Sequence, residues 1–269
     1  MRIKVHHETH YTYHEAPRYV LQRLHLIPAA FVGQKTLTWN ITAPGIENAL
    51  TYVDGMGNTV VVVTSKEQSQ STVITAVGEV ETQDMTGVVR GLSTHVPEAV
   101  FLRVSPATSC SDDMKTVART FTGKTPLLDR LHAMMAAVNG KITYETGTSD
   151  AHTTAAEAFD AGRGVCQDHA HVMVALARQL GIPARYVTGY LVTGQGASST
   201  AAHAWAEIFV ADLGWVGFDA ANGQCPTEQY VRVAAGIDAA AVAPIRGFRR
   251  GIAGPENMRV EVRVEIAQQ

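Results

Sequence analysis

At 269 residues, with 46% hydrophobic and 17% charged residues, the chain has the composition of a packed globular protein and exceeds the roughly 100 to 200 residues of one average domain. A formal net charge of −3 with no dense Lys/Arg run excludes the electrostatic footprint of a nucleic-acid-binding or anionic-membrane-binding protein. No apolar stretch nears the roughly 20 residues that span a bilayer, and the start, MRIKVHHETH, turns polar where a secretory leader is apolar, so a cytoplasmic protein with no membrane partner is expected.

From Ile3 to about Val104 the pattern is period two, beginning with Ile3, Val5, His7, Thr9, Tyr11 and Tyr13 on one side of a strand. Turn residues at Asp54-Gly55 and Gly57-Asn58 predict a hairpin between residues 50–53 and the valine run at 60–63. The polar stretch from Ser105 to Asp113 reads as a loop, and a boundary near residue 105 is expected to separate an N-terminal antiparallel β domain (1–105) from an α+β domain (106–269) with an antiparallel sheet. Leu127, Leu128, Leu131, Met134, Met135 and Val138 recur at helical spacing after Pro126, with Asn139-Gly140 as the stop signal. Thr154 with Glu157 forms a capping-box pattern for a short helix ending at Gly162. The run from Cys166 to Leu180 is rich in helix formers and stops at Gly181, which places Cys166 in a helix's first turn. Strands follow over 184–192, 202–210, 215–219 and 258–266, with Gly194 and Gly196 in a loop and residues 234–243 open between helix and loop.

The three cysteines, Cys110, Cys166 and Cys225, are an odd and sparse set that does not read as a disulfide framework and suits a reducing compartment. A helix N-terminus favours the thiolate through its free N–H groups and partial positive charge, and the same groups can stabilise the oxyanion formed when a thiolate attacks a carbonyl. Cys166 is therefore the candidate nucleophile. Alternation over residues 202–208 puts His203, Trp205 and Glu207 on one face, which makes His203 the candidate base. Asp219 closes the next strand and would lie diagonal to His203 if it stood opposite Trp205. That register requires an odd number of residues, or a bulge, between Val210 and Gly214; an even turn would put His203 and Asp219 on opposite faces. Nucleophile, base and orienting carboxylate together form the Cys-His-Asp arrangement of thiol acyl chemistry. Trp205, Tyr190 and Gln167 are the candidate substrate-binding residues, although on an alternating strand core packing is the better account of Trp205, and a buried tyrosine with a hydrogen-bonded hydroxyl explains Tyr190 equally well.

A metal site at Cys166, His169 and His171 is poor, because residue 171 turns away from 166 on a helix. His6, His7, His10 and His14 alternate faces and read as a solvated strand edge, so no metal and no other cofactor is expected. A binding module that has lost its chemistry is the alternative reading.

Four segments carry a resemblance: GVCQDHAH (164–171), LGIPARYVTGY (180–190), HAWAE (203–207) and GWVGFDA (214–220). Together they resemble the bacterial transglutaminase-like family of papain-related cysteine enzymes. Upstream, YTY (11–13), LHLIP (24–28) and DGMGN (54–58) are similar to that family's N-terminal β domain, and YVR (230–232) with residues 238–247 to the segment that closes it. The resemblance implies a Cys166, His203, Asp219 triad, a protein or peptide substrate and a thioester intermediate resolved by water or by an amine. His169 departs from it, standing where an aromatic residue such as Phe is common. Acyl transfer from a thioester cofactor, as in arylamine acetyltransferases, fits the flanking motifs less well. Oligomeric state stays unassigned.

Overall fold

The protein's structure, a computed structural model, describes residues 1–92, 94–193, 202–251 and 254–267. Gly194 and Gly196 lie outside the described residues. The fold is α+β, with antiparallel sheets. The period-two start is β1 (Arg2–Tyr13), in which every second side chain from Ile3 to Tyr13 is buried. It is followed by β2 (Tyr19–Leu24), β3 (Gln34–Thr42), β4 (Leu50–Val53), β5 (Thr59–Ser65) and β6 (Ser71–Thr82). The expected hairpin is present: Val53 stands opposite Thr59, and Asp54 Oδ1 accepts hydrogen bonds from the amides of Met56 and Asn58, each at 2.9 Å. A two-residue strand, β7 (Val88–Val89), comes next.

The helical part opens earlier than its polar sequence suggests. Ser111 accepts a hydrogen bond from the Met114 amide and caps α1 (Asp112–Thr120). The second helix, α2 (Leu127–Lys141), runs past the expected stop, because Gly140 keeps helical backbone and Asn139 is bonded elsewhere. Then come β8 (Thr143–Tyr144), the capped helix α3 (Ala155–Ala161), β9 (Arg163–Gly164), α4 (Cys166–Gln179), β10 (Ala184–Leu191), β11 (His203–Val210), β12 (Gly214–Phe218), β13 (Tyr230–Gly236), β14 (Ile245–Arg250) and β15 (Glu256–Ile266). The Ala-rich segment left open between helix and loop divides into the end of β13 and a single 3-10 turn over Ala240–Val242.

The three larger sheets have the strand orders β15-β1-β6-β3, β14-β2-β5-β4 and β13-β10-β11-β12-β7, and β8 pairs with β9 in a short parallel ribbon. Hydrogen bonding therefore crosses the boundary read near residue 105. The strands after residue 244 complete the two N-terminal sheets, while β7 pairs with β12 in the third. Sequence position could not reveal this, because strand pairing is a long-range choice. The buried face of β1 serves two cores. Tyr11 and Tyr13 pack with Leu24, Val61 and Val63 between the first two sheets, whereas Ile3 and Val5 pack with Val262, Val264, Tyr186 and Ala204 against the third. Since β1 lies between β15 and β6, its histidines do not mark a solvated edge. His7 is buried, with Nδ1 3.0 Å from the Tyr190 hydroxyl and Nε2 3.2 Å from Thr9 Oγ1.

At the centre lies α4. Val172, Met173, Leu176 and their neighbours are buried between the third sheet, at Ala206, Ile208, Val216 and Phe218, and the α2 side chains Leu131, Met134 and Val138. A helix apolar all round is a core helix, and each such side chain contributes about 1.5–3 kcal/mol through burial. Arg178 ties down its C-terminal end, donating from Nε to the Phe101 carbonyl (2.9 Å) and from Nη2 to the carbonyls of Ala184 (2.9 Å) and Ile237 (2.8 Å). The helix start is thus held in a fixed place against the sheet.

Candidate active site

Cys166 is the first residue of α4 and is only partly buried. Asp168, at the third helical position, folds back so that Oδ2 accepts the Val165 amide at 2.7 Å and the Ser149 hydroxyl at 2.5 Å. This satisfies one free helix-start donor and fixes the turn that carries the thiol. Gly164 is required there: a Cβ at that position would fall 2.6 Å from Asp168 Oδ2 and 2.7 Å from its Cβ. His169, the residue that departs from the family resemblance, points away from the open side. Its Nδ1 lies 2.9 Å from the Val165 carbonyl and its Nε2 3.0 Å from that of Ile142.

Three residues, Ala211 to Leu213, separate Val210 from its partner Gly214, and Gly214 itself adopts φ +82°. The odd count sets a register in which Ala206 faces Phe218, so continuation by one residue brings Asp219 opposite Trp205 and diagonal to His203. His203 Nε2 then donates to Asp219 Oδ2 at 2.6 Å. With Nε2 engaged, Nδ1 is the nitrogen left for Cys166, which lies near enough to help raise the imidazole. Each of Cys166 and His203 is the first residue of its element, so nucleophile and base meet at the rim of the sheet.

The carboxylate is saturated with donors. Besides His203, Oδ2 accepts from Asn222 Nδ2 (2.7 Å) and the Tyr230 hydroxyl (2.8 Å), and Oδ1 accepts from the amides of Ala221 (3.1 Å) and Asn222 (3.2 Å). Gln224 Nε2 donates to the Tyr230 hydroxyl at 2.9 Å and so aims its proton at Asp219. Asn139 of α2 holds this turn through the Ala220 carbonyl at 2.8 Å. Burial alone would raise the Asp219 carboxyl, but the His203, Asn222 and Tyr230 hydrogen bonds bring it below the usual aspartate range. Burial alone would lower His203; the hydrogen bonds to Asp219 and Cys166 and their negative charges outweigh it and raise the imidazole to about 10. Desolvation pushes the Cys110 and Cys225 thiols up, so neither is set up as a nucleophile.

Residues 115–220 match the Transglutaminase-like superfamily, and residues 3–81 match the Bacterial transglutaminase-like N-terminal region. The chain belongs to the transglutaminase-like superfamily. Uncharacterized protein ML0607 of Mycobacterium leprae is 27% identical over 281 residues, 99% of each chain. Uncharacterized protein Rv2569c of Mycobacterium tuberculosis is 32% identical over 159 residues, 55% of this chain and 50% of that protein. A Cytophaga hutchinsonii structure named "a Putative Cysteine Protease" superposes with a TM-score of 0.75 at 25% identity, covering 97% of this chain and 90% of that one.

In this transglutaminase-like chain the three substrate candidates part company. Gln167 lies beside the nucleophile, bonds the Asp150 carbonyl at 3.2 Å and borders a cavity. Trp205 is 2% exposed, stacked on His203 at 6.2 Å between ring centroids and edge-on to Tyr230 at 5.5 Å, so it walls the histidine from behind. Tyr190 is buried and bonded to His7. For both, the continuous burial of a sheet packed on two faces prevails over the cleft-facing expectation. Asn222, Gln224 and Tyr230 were not singled out for a role in the site. Tyr230 begins one of the segments that resembles the family, but its contact with Asp219 depends on β13 crossing to the far side of β10. Among the described residues no group of three His, Cys, Asp or Glu is placed to hold a metal ion, and no helix is long and apolar enough to cross a membrane.

Proposed function

We propose that the protein is a thiol-dependent amide or peptide hydrolase, or acyl transferase, that works through a thioester on Cys166. The observation that carries the reading is the His203–Asp219 pair, its carboxylate held by five donors, beside Cys166 at the start of α4. An imidazole raised to about 10 beside Cys166 is charged at neutral pH and is placed to stabilise negative charge that develops on the sulfur. The Cys166 sulfur attacks the carbonyl carbon, and the carbonyl oxygen takes the negative charge within reach of the first-turn amides of α4. Collapse of that intermediate breaks the C–N bond, and His203 delivers its proton to the departing amine. Water or an amine, deprotonated by His203, then attacks the thioester and expels the thiolate. Asp219 keeps the imidazole in the tautomer that serves both steps. Among the described residues the three cysteines are free, which suits a reducing, cytoplasmic setting.

The test compares the rate at which iodoacetamide labels each cysteine from pH 5 to 9, read by mass spectrometry, in the wild type and His203→Ala. Cys166 is expected to react first at neutral pH and to slow when His203 is removed, and Cys166→Ala is expected to abolish turnover of a peptide or amide library. Labelling of Cys166 no faster than Cys110, in protein shown to be folded, would favour a binding module.

A further inference from the structure

We propose that the cavity between the N-terminal sheets and the catalytic sheet receives the acyl-donor segment of a peptide substrate bearing bulky apolar side chains and no positive charge. This rests on the catalytic reading above and names the substrate class for the same site.

The cavity measures about 490 Å³, within the range of small-ligand sites. Its wall includes Gln167 and Ala202, the chain neighbours of Cys166 and His203, so it runs alongside the triad, none of whose residues is itself in the wall. Its far wall comes from the N-terminal body. Along β15 one face carries Met258, Val260, Val262 and Val264. Val262 and Val264 are 2% and 0% exposed, in the core, whereas Met258 and Val260 are 60% and 39% exposed and line the cavity. A core stripe that runs out into an open cavity is apolar surface that no other described residue covers, and such surface marks a binding face. Ile245 adds to it from the start of β14.

Charge narrows the occupant. Among the described residues no carboxylate lines the cavity, and Arg246 brings a fixed cation to the rim. His7 also lines the cavity, but burial lowers its pKa to about 4, so it is neutral. A Lys or Arg side chain entering here would lose water and find repulsion, whereas Leu, Met or Phe would cover Met258 and Val260. The larger hollow of about 670 Å³ elsewhere is bordered by Lys4, Glu79, Arg263 and Glu265, carries both signs of charge and has no chain neighbour of Cys166 or His203 in its wall.

The test uses two peptidyl chloromethyl ketones, acetyl-Leu-Leu-Gly and acetyl-Lys-Lys-Gly, which place the reactive carbon at the thiol and the flanking residues on the acyl-donor side. Each rate at Cys166 is divided by that of iodoacetamide, which needs no pocket. The Leu probe is expected to exceed the Lys probe by about tenfold or more, the discrimination a shaped apolar pocket provides. Val260→Glu, a change at a half-exposed position, should bring the two probes together while leaving iodoacetamide labelling unchanged. Equal rates in the wild type, or a preference unaltered in both Val260→Glu and Ile245→Glu, would overturn the proposal. Failure of the catalytic reading is separate: it shows as iodoacetamide labelling insensitive to His203→Ala, and the probe ratio still measures the cavity.

Discussion

Glu207 is the residue whose replacement the structure prices most directly. It lies on β11, two positions from Trp205, and is fully buried. Arg185 of β10 donates from Nε to its Oε2 at 2.6 Å, and Arg232 of β13 donates from Nε to its Oε1 at 2.8 Å, so one carboxylate ties together the three strands that carry His203, Tyr186 and Tyr230. Burial would raise the Glu207 carboxyl, but the Arg185 and Arg232 charges prevail and lower it from 4.5 to about 2. By linkage, that displacement corresponds to about 3 kcal/mol. Breaking a buried ion pair by removing one partner costs about 3–5 kcal/mol, because the surviving charge is stranded. Glu207→Gln keeps the shape, strands two guanidiniums and is expected to lose about 3–5 kcal/mol. At about 2–4 °C per kcal/mol, the melting temperature should fall by about 6–20 °C. The depressed pKa fixes the sign with pH: the contribution is complete above about 4.5 and disappears as pH falls through about 2. Urea unfolding of the wild type and Glu207→Gln at pH 7 and at pH 3 measures both the loss and its acid dependence. A difference below about 1 kcal/mol at pH 7, typical of an exposed pair, would refute the argument.

Tyr230→Phe removes one donor from the Asp219 carboxylate; a hydrogen bond to a charged group is worth about 1.5–3 kcal/mol, so Cys166 labelling at pH 7 should slow by about tenfold or more, and an unchanged rate would remove Tyr230 from the site. The raised pKa of His203 makes the stability of its pair with Asp219 fully present below about 6.5 and lost as pH rises through about 10, so the melting difference between the wild type and His203→Gln should shrink across that window. Gly164→Ala drives a Cβ into Asp168 and displaces the Val165 cap; it should cost about 1–2 kcal/mol, the value of a lost cap, and slow labelling of Cys166. Gly140→Ala meets nothing within 4 Å at an exposed position near the end of α2 and should instead stabilise by about 1 kcal/mol in the same thermal assay.

What the sequence made legible was local. Alternation gave β1 and β15, the Asp54–Asn58 turn gave a hairpin, and the Thr154–Glu157 box marked the start of α3, because each pattern is written within a few residues. The alternation of β11 and the requirement for an odd turn before Gly214 were enough to bring His203 and Asp219 together. What stayed hidden was convergence over distance. Tyr230 reaches Asp219 only because β13 pairs with β10, and Glu207 is an interior charge only because Arg185 and Arg232 come from other strands. The placement of β14 and β15 beside β2 and β1 is the same kind of choice, made by shape across most of the chain.

That last pairing bears on how the molecule is made. β1 takes one neighbour, β6, from the early part of the chain and the other, β15, from residues 256–266. Closing a loop of that length adds little to the equilibrium cost, about 0.6 kcal/mol for each doubling, but contacts so remote in sequence slow folding. During synthesis the edge of β1 is therefore bare until β15 has left the ribosome, by which time α4 and the strands holding His203 and Asp219 are already available to fold. Met258 and Val260 lie on that final strand. A ribosome-stalled chain ending before residue 256 would hold Cys166 and His203 but lack Met258 and Val260, the two lining residues of the cavity that β15 supplies.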